Sequence, residues 1–250
     1  MKIPDHCREV MREGQAIQLA EEDIYSVLPD HSQHHLYDGR AAAYDLVVGT
    51  RAYNRVMWGA ALQGYVAFAR QAVASDQTGI LLDAGCGSLL FTAQAYLESR
   101  RPIIACDQSL NMLRRARSRL MKLAGAVPDR VVLLQADLGA LPFSPNRFST
   151  VLCMNVLHHV VEAQALIARL KELLLDGGHF YLTSLVKGDR FIGDRYLDVL
   201  YRRGDFASPR SMADVATVLG NSFGRTMHHW VDGNMGYATA TRGGERSTEH

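Results

Sequence analysis

Ile80-Leu81-Leu82-Asp83-Ala84-Gly85-Cys86-Gly87 is the stretch on which the fold turns. Its first residues form a short apolar run that ends in a carboxylate, which reads as a buried strand. The two glycines after it let the chain reverse sharply and let a ligand approach the backbone closely. Ser88 is placed to cap a helix over Leu89 to Glu98, whose N-terminus would then face that ligand. On the upstream side, Ser75-Asp76-Gln77-Thr78-Gly79 is a polar break that marks the start of a core domain.

Working outward, the same alternation repeats. Ile103-Ile104-Ala105-Cys106 is a second strand, and Val131 to Gln135, Val151 to Met154 and His179 to Leu185 are three more. Ser109 can cap a helix over Leu110 to Ala124, with Leu110, Leu113, Leu120 and Leu123 on one face. Ala163 to Leu175 is a helix closed by Asp176-Gly177-Gly178. Two final strands are expected near Thr226 to Val231 and Tyr237 to Thr241. Alternating strands and helices of this kind predict an α/β, doubly wound, mostly parallel sheet of seven strands. Its strands are near-continuous apolar runs because helices cover both faces.

Residues 1–75 look helical and are expected to form an N-terminal cap or lid, a dimer contact, or both. Ala60 to Ala74 is their clearest helix, with Leu62, Val66, Ala69 and Val73 on one face. Residues 76–242 form the core, with a polar insert at about 187–221, and residues 243–250 form a flexible tail.

The chain has 250 residues, with 27 Lys plus Arg against 26 Asp plus Glu, a formal charge of +1. That balance argues against a protein holding nucleic acid by bulk charge. The run Arg114, Arg115, Arg117, Arg119 and Lys122 reads as the solvated face of its amphipathic helix, with RNA or phosphate binding as the alternative. No run of ~18 apolar residues is present, so no membrane partner is expected. Cys7, Cys86, Cys106 and Cys153 form no CxxC pair. Reduced thiols, no zinc site and a cytoplasmic address follow.

In a doubly wound sheet the ligand lies beyond the carboxyl ends of the strands, where strand order reverses. A dinucleotide site there wants G-x-G-x-x-G, and in this frame Leu90 stands where the third glycine belongs. Asp83, before the first glycine, suits a ligand with a cationic amine better than a diphosphate.

Leu81-Leu82-Asp83-Ala84-Gly85-Cys86-Gly87 resembles the first motif of class I S-adenosylmethionine (SAM)-dependent methyltransferases, whose core is Rossmann-like. Further likenesses follow in order: Cys106-Asp107, Ala136-Asp137-Leu138, Leu141-Pro142-Phe143 with Phe148 to Val160, and Leu174 to Thr183. They cover roughly residues 78 to 186. Tyr44-Asp45, Tyr53-Asn54 and Trp58-Gly59 resemble the lead-in of members that methylate quinones and natural products. The sequence departs from the family where Leu89 replaces a frequent third glycine and where Ser149 replaces a common acid.

The resemblance implies SAM as cofactor, S-adenosylhomocysteine as product and a small-molecule acceptor. It implies cofactor contacts at Asp83, Gly85, Cys86, Gly87, Asp107, Gln108, Met112, Asp137, Leu138 and Asn155. Asp107 would accept from the ribose hydroxyls, since one carboxylate can bind both hydroxyls of a diol. Plainer roles stand beside these: a helix cap for Asp107, a turn for Asp137, core packing for Met112. His158 or His159 could act as a general base, because His titrates near neutrality. Tyr44, Tyr53, Trp58, Tyr196 and Tyr201 are cap or acceptor candidates. His31, His34 and His35 lack ligand spacing for a metal, and His228-His229 read as structural. The alternatives are other SAM chemistry, a non-catalytic SAM-binding protein, methylation of RNA or protein, and, on a partial glycine fingerprint, a dinucleotide oxidoreductase.

Overall fold

A computed structural model describes residues 3–28, 50–76, 78–188, 190–207, 209–224 and 226–243. The elements are α1 (Asp5–Val10), β1 (Gln18–Glu21), β2 (Ile24–Ser26), α2 (Leu62–Ala74), β3 (Leu81–Ala84), α3 (Ala93–Glu98), β4 (Ile103–Asp107) and α4 (Leu110–Ala124). They continue with β5 (Val131–Gln135), β6 (Phe148–Met154), α5 (Ala163–Leu173), β7 (Leu174–Leu185), α6 (Phe191–Arg202), α7 (Met212–Phe223), β8 (Met227–Asp232) and β9 (Met235–Thr241). One sheet runs in the order β1-β2-β5-β4-β3-β6-β7-β9-β8. β2 through β7 are mutually parallel, while β1, β8 and β9 pair antiparallel. The order reverses at β3, which lies between β4 and β6, so the crevice lies at the end of Asp83-Ala84.

The α/β doubly wound architecture is the one expected, but the described residues contribute nine strands rather than seven. The extra pair comes from the segment read as helical. Gln18–Ser26 is a hairpin turning at Glu22-Asp23, with Asp23 at φ 61. Ile24 pairs with Leu133 and Tyr25 with Leu134, and all three β2 residues are buried. Three residues are too few to show an alternating pattern, and what holds them is a distant strand. Tyr44, His31, His34, His35 and residues 244–250 lie outside the described residues.

Helix α2 buries Tyr65, Phe68, Ala69, Ala72 and Val73, so Val66 is off the core face. Ser109 caps α4 by accepting from the Met112 N–H, and Leu110, Leu113 and Leu120 are buried. Leu123 is exposed. The basic side of α4 turns to the hairpin: Arg114 pairs with Glu21, and Arg117 with Glu22 and Asp23. Two of the five basic residues are thereby neutralised within the fold. The helix expected to close at Leu175 ends at Leu173, and β7 begins at once.

Two apolar layers sandwich the sheet. Val132, Leu134, Val151, Cys153, Phe180 and Leu182 belong to the layer that also holds α1, α5 and α7, while Leu81, Ile103, Leu133 and Leu152 share a layer with α2, α3 and α4. Below the sheet, Arg101 is 1% exposed. It donates to the carbonyls of Ala72, Val73 and Gly79 and to the hydroxyls of Ser149 and Thr150. Ser149, at a position where an acid is common in the resembling family, is thus a neutral acceptor for a buried cation. Among the described residues no helix is long and apolar enough to cross a membrane.

Candidate active site

A cleft of about 840 Å³ opens at the carboxyl end of β3, within the size range of small-molecule sites. Its floor is the turn after β3. Gly85 has φ 84, and a Cβ there would stand 2.3 Å from Val156 Cγ2. Gly87 has φ 54, and nothing lies within 4 Å of where its Cβ would be. The first glycine is favoured by its φ and by the close approach of Val156, and the second by its φ alone.

Helix α3 starts at Ala93, not at Leu89, and is only six residues long. Its N-cap position is held by Thr92 and not by Ser88. Leu89 takes φ 55 with its side chain fully buried. A left-handed conformation costs a non-glycine residue roughly 1–2 kcal/mol. Burying a leucine side chain returns about as much. The backbone shape a glycine would favour is therefore kept without the glycine.

Two carboxylates flank the turn. Asp107, at the end of β4, accepts N–H bonds from Gly87 at 2.8 Å and Ser109 at 2.8 Å. These bonds lock its orientation and oppose the burial that raises its pKa. Asp83 is 1% exposed and takes a 2.6 Å bond from the Tyr96 hydroxyl on Oδ2. Its Oδ1 has no hydrogen-bond partner among the described residues. Burial pushes Asp83 up to about 7, with Asp107 adding to the rise and Tyr96 opposing it. A buried carboxylate oxygen left unpaired is costly, and a cationic or donor ligand group would relieve it.

All ten expected cofactor residues line this one cleft. Asp137 accepts from the Gly139 N–H at 2.8 Å and so also makes the turn that was its plainer reading. Asn155 has φ 58 and is fixed by Thr183, whose carbonyl and hydroxyl accept its N–H and whose hydroxyl donates to Oδ1.

The two histidines separate. His158 is buried outside the cleft lining, and its Nδ1 accepts the Leu185 N–H at 3.2 Å. That bond leaves the ring neutral, with its proton on Nε2, and burial holds its pKa well below the usual value. His158 is therefore a packing residue, which corrects its candidacy as a base. His159 lines the cleft, and its Nδ1 lies 3.1 Å from the Asp205 carbonyl. A carbonyl only accepts, so Nδ1 carries the proton and Nε2 is the basic nitrogen. Burial lowers the His159 pKa, so the ring is neutral near pH 7.

The aromatic candidates lie elsewhere. Tyr53, Trp58 and Tyr196 pack on one another, with ring centroids 6.2 and 5.5 Å apart, and none lines the cleft. Tyr201 is exposed. Phe91 and Phe206 line the cleft instead, with Phe206 packed against both histidine rings. Tyr96, the partner of Asp83, sits beneath. These three escaped the sequence reading, although Phe91 and Tyr96 stand within thirteen residues of Asp83. Phe206 reaches the site only through tertiary folding.

Comparison with known proteins points the same way. Residues 82–182 match a family described as a methyltransferase domain. A ubiquinone biosynthesis O-methyltransferase of Xanthomonas euvesicatoria is 31% identical over 144 residues, which are 53% of this chain and 58% of that protein. The chain thus spans less than two thirds of the relatives it matches. Among solved structures, Haemonchus contortus phosphoethanolamine N-methyltransferase 2 in complex with S-adenosyl-L-methionine superposes with a TM-score of 0.66 at 16% identity, over 83% of this chain and 57% of that one. Streptomyces coelicolor geranyl diphosphate C-methyltransferase gives 0.57 at 14% identity, over 72% and 76%.

Proposed function

We propose, from a chain whose residues 82–182 match a methyltransferase domain family, that its cleft binds SAM and transfers the sulfonium methyl to a small-molecule acceptor. The observation that carries this reading is the pair of carboxylates on either side of the Gly85–Gly87 turn. One is oriented by two backbone N–H groups, and the other is buried with an oxygen lacking a partner. They fit the two polar ends of SAM: Asp107 would accept from the ribose diol, and Asp83 would face the amine. Gly85, Cys86 and Gly87 supply backbone between them. Gln108, Met112, Asp137 and Leu138 would enclose the base, and Asn155 the sulfur end.

SAM supplies an already activated methyl, so the protein's work is positioning and exclusion of water. Phe91 and Phe206 narrow the cleft beside His159. We assign His159 as the proton acceptor: its Nδ1–H is held by the Asp205 carbonyl, and its Nε2 takes the proton released as the acceptor atom gains the methyl. His158 and Phe206 hold that ring in place by packing. The relatives named above act on oxygen, nitrogen and carbon by their descriptions, so kinship supports the reaction type rather than one acceptor atom. The described cysteines are all free, which supports a reducing, cytoplasmic setting.

The test is calorimetric titration with SAM, S-adenosylhomocysteine and NAD, followed by an acceptor screen. Micromolar binding of the two sulfur compounds is expected, and binding of NAD alone would refute the reading. In the turnover assay that follows, His159→Gln should lower kcat without altering SAM affinity. Unchanged kcat would remove His159 from the mechanism.

A further inference from the structure

We propose that the outer face of α6 docks this protein on an anionic lipid bilayer surface. Helix α6 packs inward through Gly193 and Leu197. Its opposite side exposes large apolar groups: Phe191 is 76% exposed, Ile192 55% and Val199 40%. At 3.6 residues per turn these fall within one arc of about 120°, together with Arg195, Arg202 and Arg203.

The acids of the helix lie outside that arc and are engaged. Asp194 accepts from the Gly188 N–H and the Asn234 amide, and Asp198 pairs with Lys187 at 2.6 Å. Arg195 stands over the Phe191 ring at 5.8 Å. The first turn of α6 is tied to the segment before α2, since Arg190 donates to the Val56 carbonyl and the absence of a side chain at Gly193 admits the Met57 carbonyl. These contacts are on the inward side of α6 and leave the exposed arc uncovered by that segment.

Among the described residues, the charged side chains within this arc are arginines, with Asp198 at its edge paired to Lys187. Apolar side chains interleaved with arginines are what an interfacial helix needs: the former enter the acyl boundary, and guanidinium groups meet lipid phosphates. The interleaving favours a bilayer over an acidic protein, because an arginine set over apolar surface, as Arg195 is over Phe191, can bury its stem while its head reaches the phosphate layer. Helix α6 runs on into Gly204–Ala207, which line the cleft. Docking by this face would hold the cleft, part of whose lining directly follows α6, close to the membrane. On the methyltransferase reading, on which only this last step rests, the acceptor is a lipid-soluble molecule drawn from the bilayer.

The test is co-sedimentation of the full chain with vesicles of equal parts phosphatidylcholine and phosphatidylglycerol, against pure phosphatidylcholine. Sedimentation with the anionic vesicles is expected, weakening as salt is added. At about fivefold per basic residue, Arg195→Gln with Arg202→Gln should lower partition roughly thirtyfold. Phe191→Ser with Ile192→Ser should abolish it. Circular dichroism and SAM titration of the variants report folding and the cleft separately, so a failed SAM titration strikes the enzymatic reading while the vesicle result still decides this one. No sedimentation with anionic vesicles at low salt overturns the proposal, as does binding that both variants retain. A vesicle-free dimer that Phe191→Ser with Ile192→Ser dissociates overturns it in favour of a protein partner.

Discussion

Removing the Asp107 carboxylate is the sharpest test of the site. In Asp107→Ala two things are lost at once. The ligand loses an anionic acceptor for a diol, and hydrogen bonds to a charged group contribute roughly 1.5–3 kcal/mol each. Two such bonds amount to at least about 3 kcal/mol, a factor of some 150 in Kd. The Gly87 and Ser109 N–H groups also lose their common acceptor, so the turn and the start of α4 are no longer held at a fixed separation. That second loss can only weaken binding further. Asparagine is not a gentle substitute, because its NH2 would face one of those two donors. The assay is calorimetric Kd for SAM and for S-adenosylhomocysteine, with circular dichroism to establish that the variant folds. Both ligands should weaken by about two orders of magnitude, since both carry the diol. A folded Asp107→Ala protein whose Kd moves by less than about threefold, under 1 kcal/mol, refutes the reasoning.

Other expectations follow from the same geometry. Asp83 has a folded pKa near 7, raised above its unfolded value, so its contribution to stability is fully present below about pH 4 and is lost as pH rises through 7. Asp83→Asn should flatten the slope of thermal stability between about pH 4 and 7, and an unaltered slope would show that another group titrates. SAM affinity should rise between pH 6 and 7 as the carboxylate ionises, and Asp83→Asn should remove that rise. Tyr96→Phe deletes the hydroxyl that favours the ionised form, so the affinity profile should move to higher pH, with a stability loss of about 1 kcal/mol in a denaturant titration. Arg101→Met strips a buried cation from five acceptors and should cost about 3–5 kcal/mol in unfolding free energy, whereas a loss below about 1 kcal/mol would mean those acceptors re-pair locally. His158→Gln should lower stability far more than it lowers SAM affinity, because its ring binds backbone and not the cleft.

What the sequence disclosed and what it concealed divide along a physical line. The central strands were legible because each is an apolar run long enough to be covered on both faces, and the turns between them carry glycines and acids whose conformations are locally determined. Asp83, Asp107 and Asp137 were found for that reason, each standing at or just after the end of a strand. The hairpin at Gln18–Ser26 was not legible, because its pairing partner is over a hundred residues away and its turn is charged. Helix α3 was drawn too long because apolar Leu89 and Leu90 suit a helix, while Leu89 is turned left-handed by the packing that buries it. The two histidines are alike as neighbours in sequence. Only the amide of Leu185 and the carbonyl of Asp205, set by β7 and by the segment after α6, give them opposite tautomers. Tyr53, Trp58 and Tyr196 were expected at the cleft by analogy, and they pack on one another outside its lining instead.

The short hairpin beside β5 has a further consequence for how this chain can be divided. Val131–Gln135 are buried throughout, and β2 is the strand that covers their outer edge. A truncated chain that keeps the residues matching the methyltransferase family and discards the first 28 would present Val-Val-Leu-Leu-Gln as an open strand edge, a template for sheet growth between molecules. It would also free Arg114 and Arg117 from their acidic partners, adding charge next to that edge. Such a fragment should aggregate when expressed, and it should regain solubility when the hairpin residues are supplied as a separate peptide.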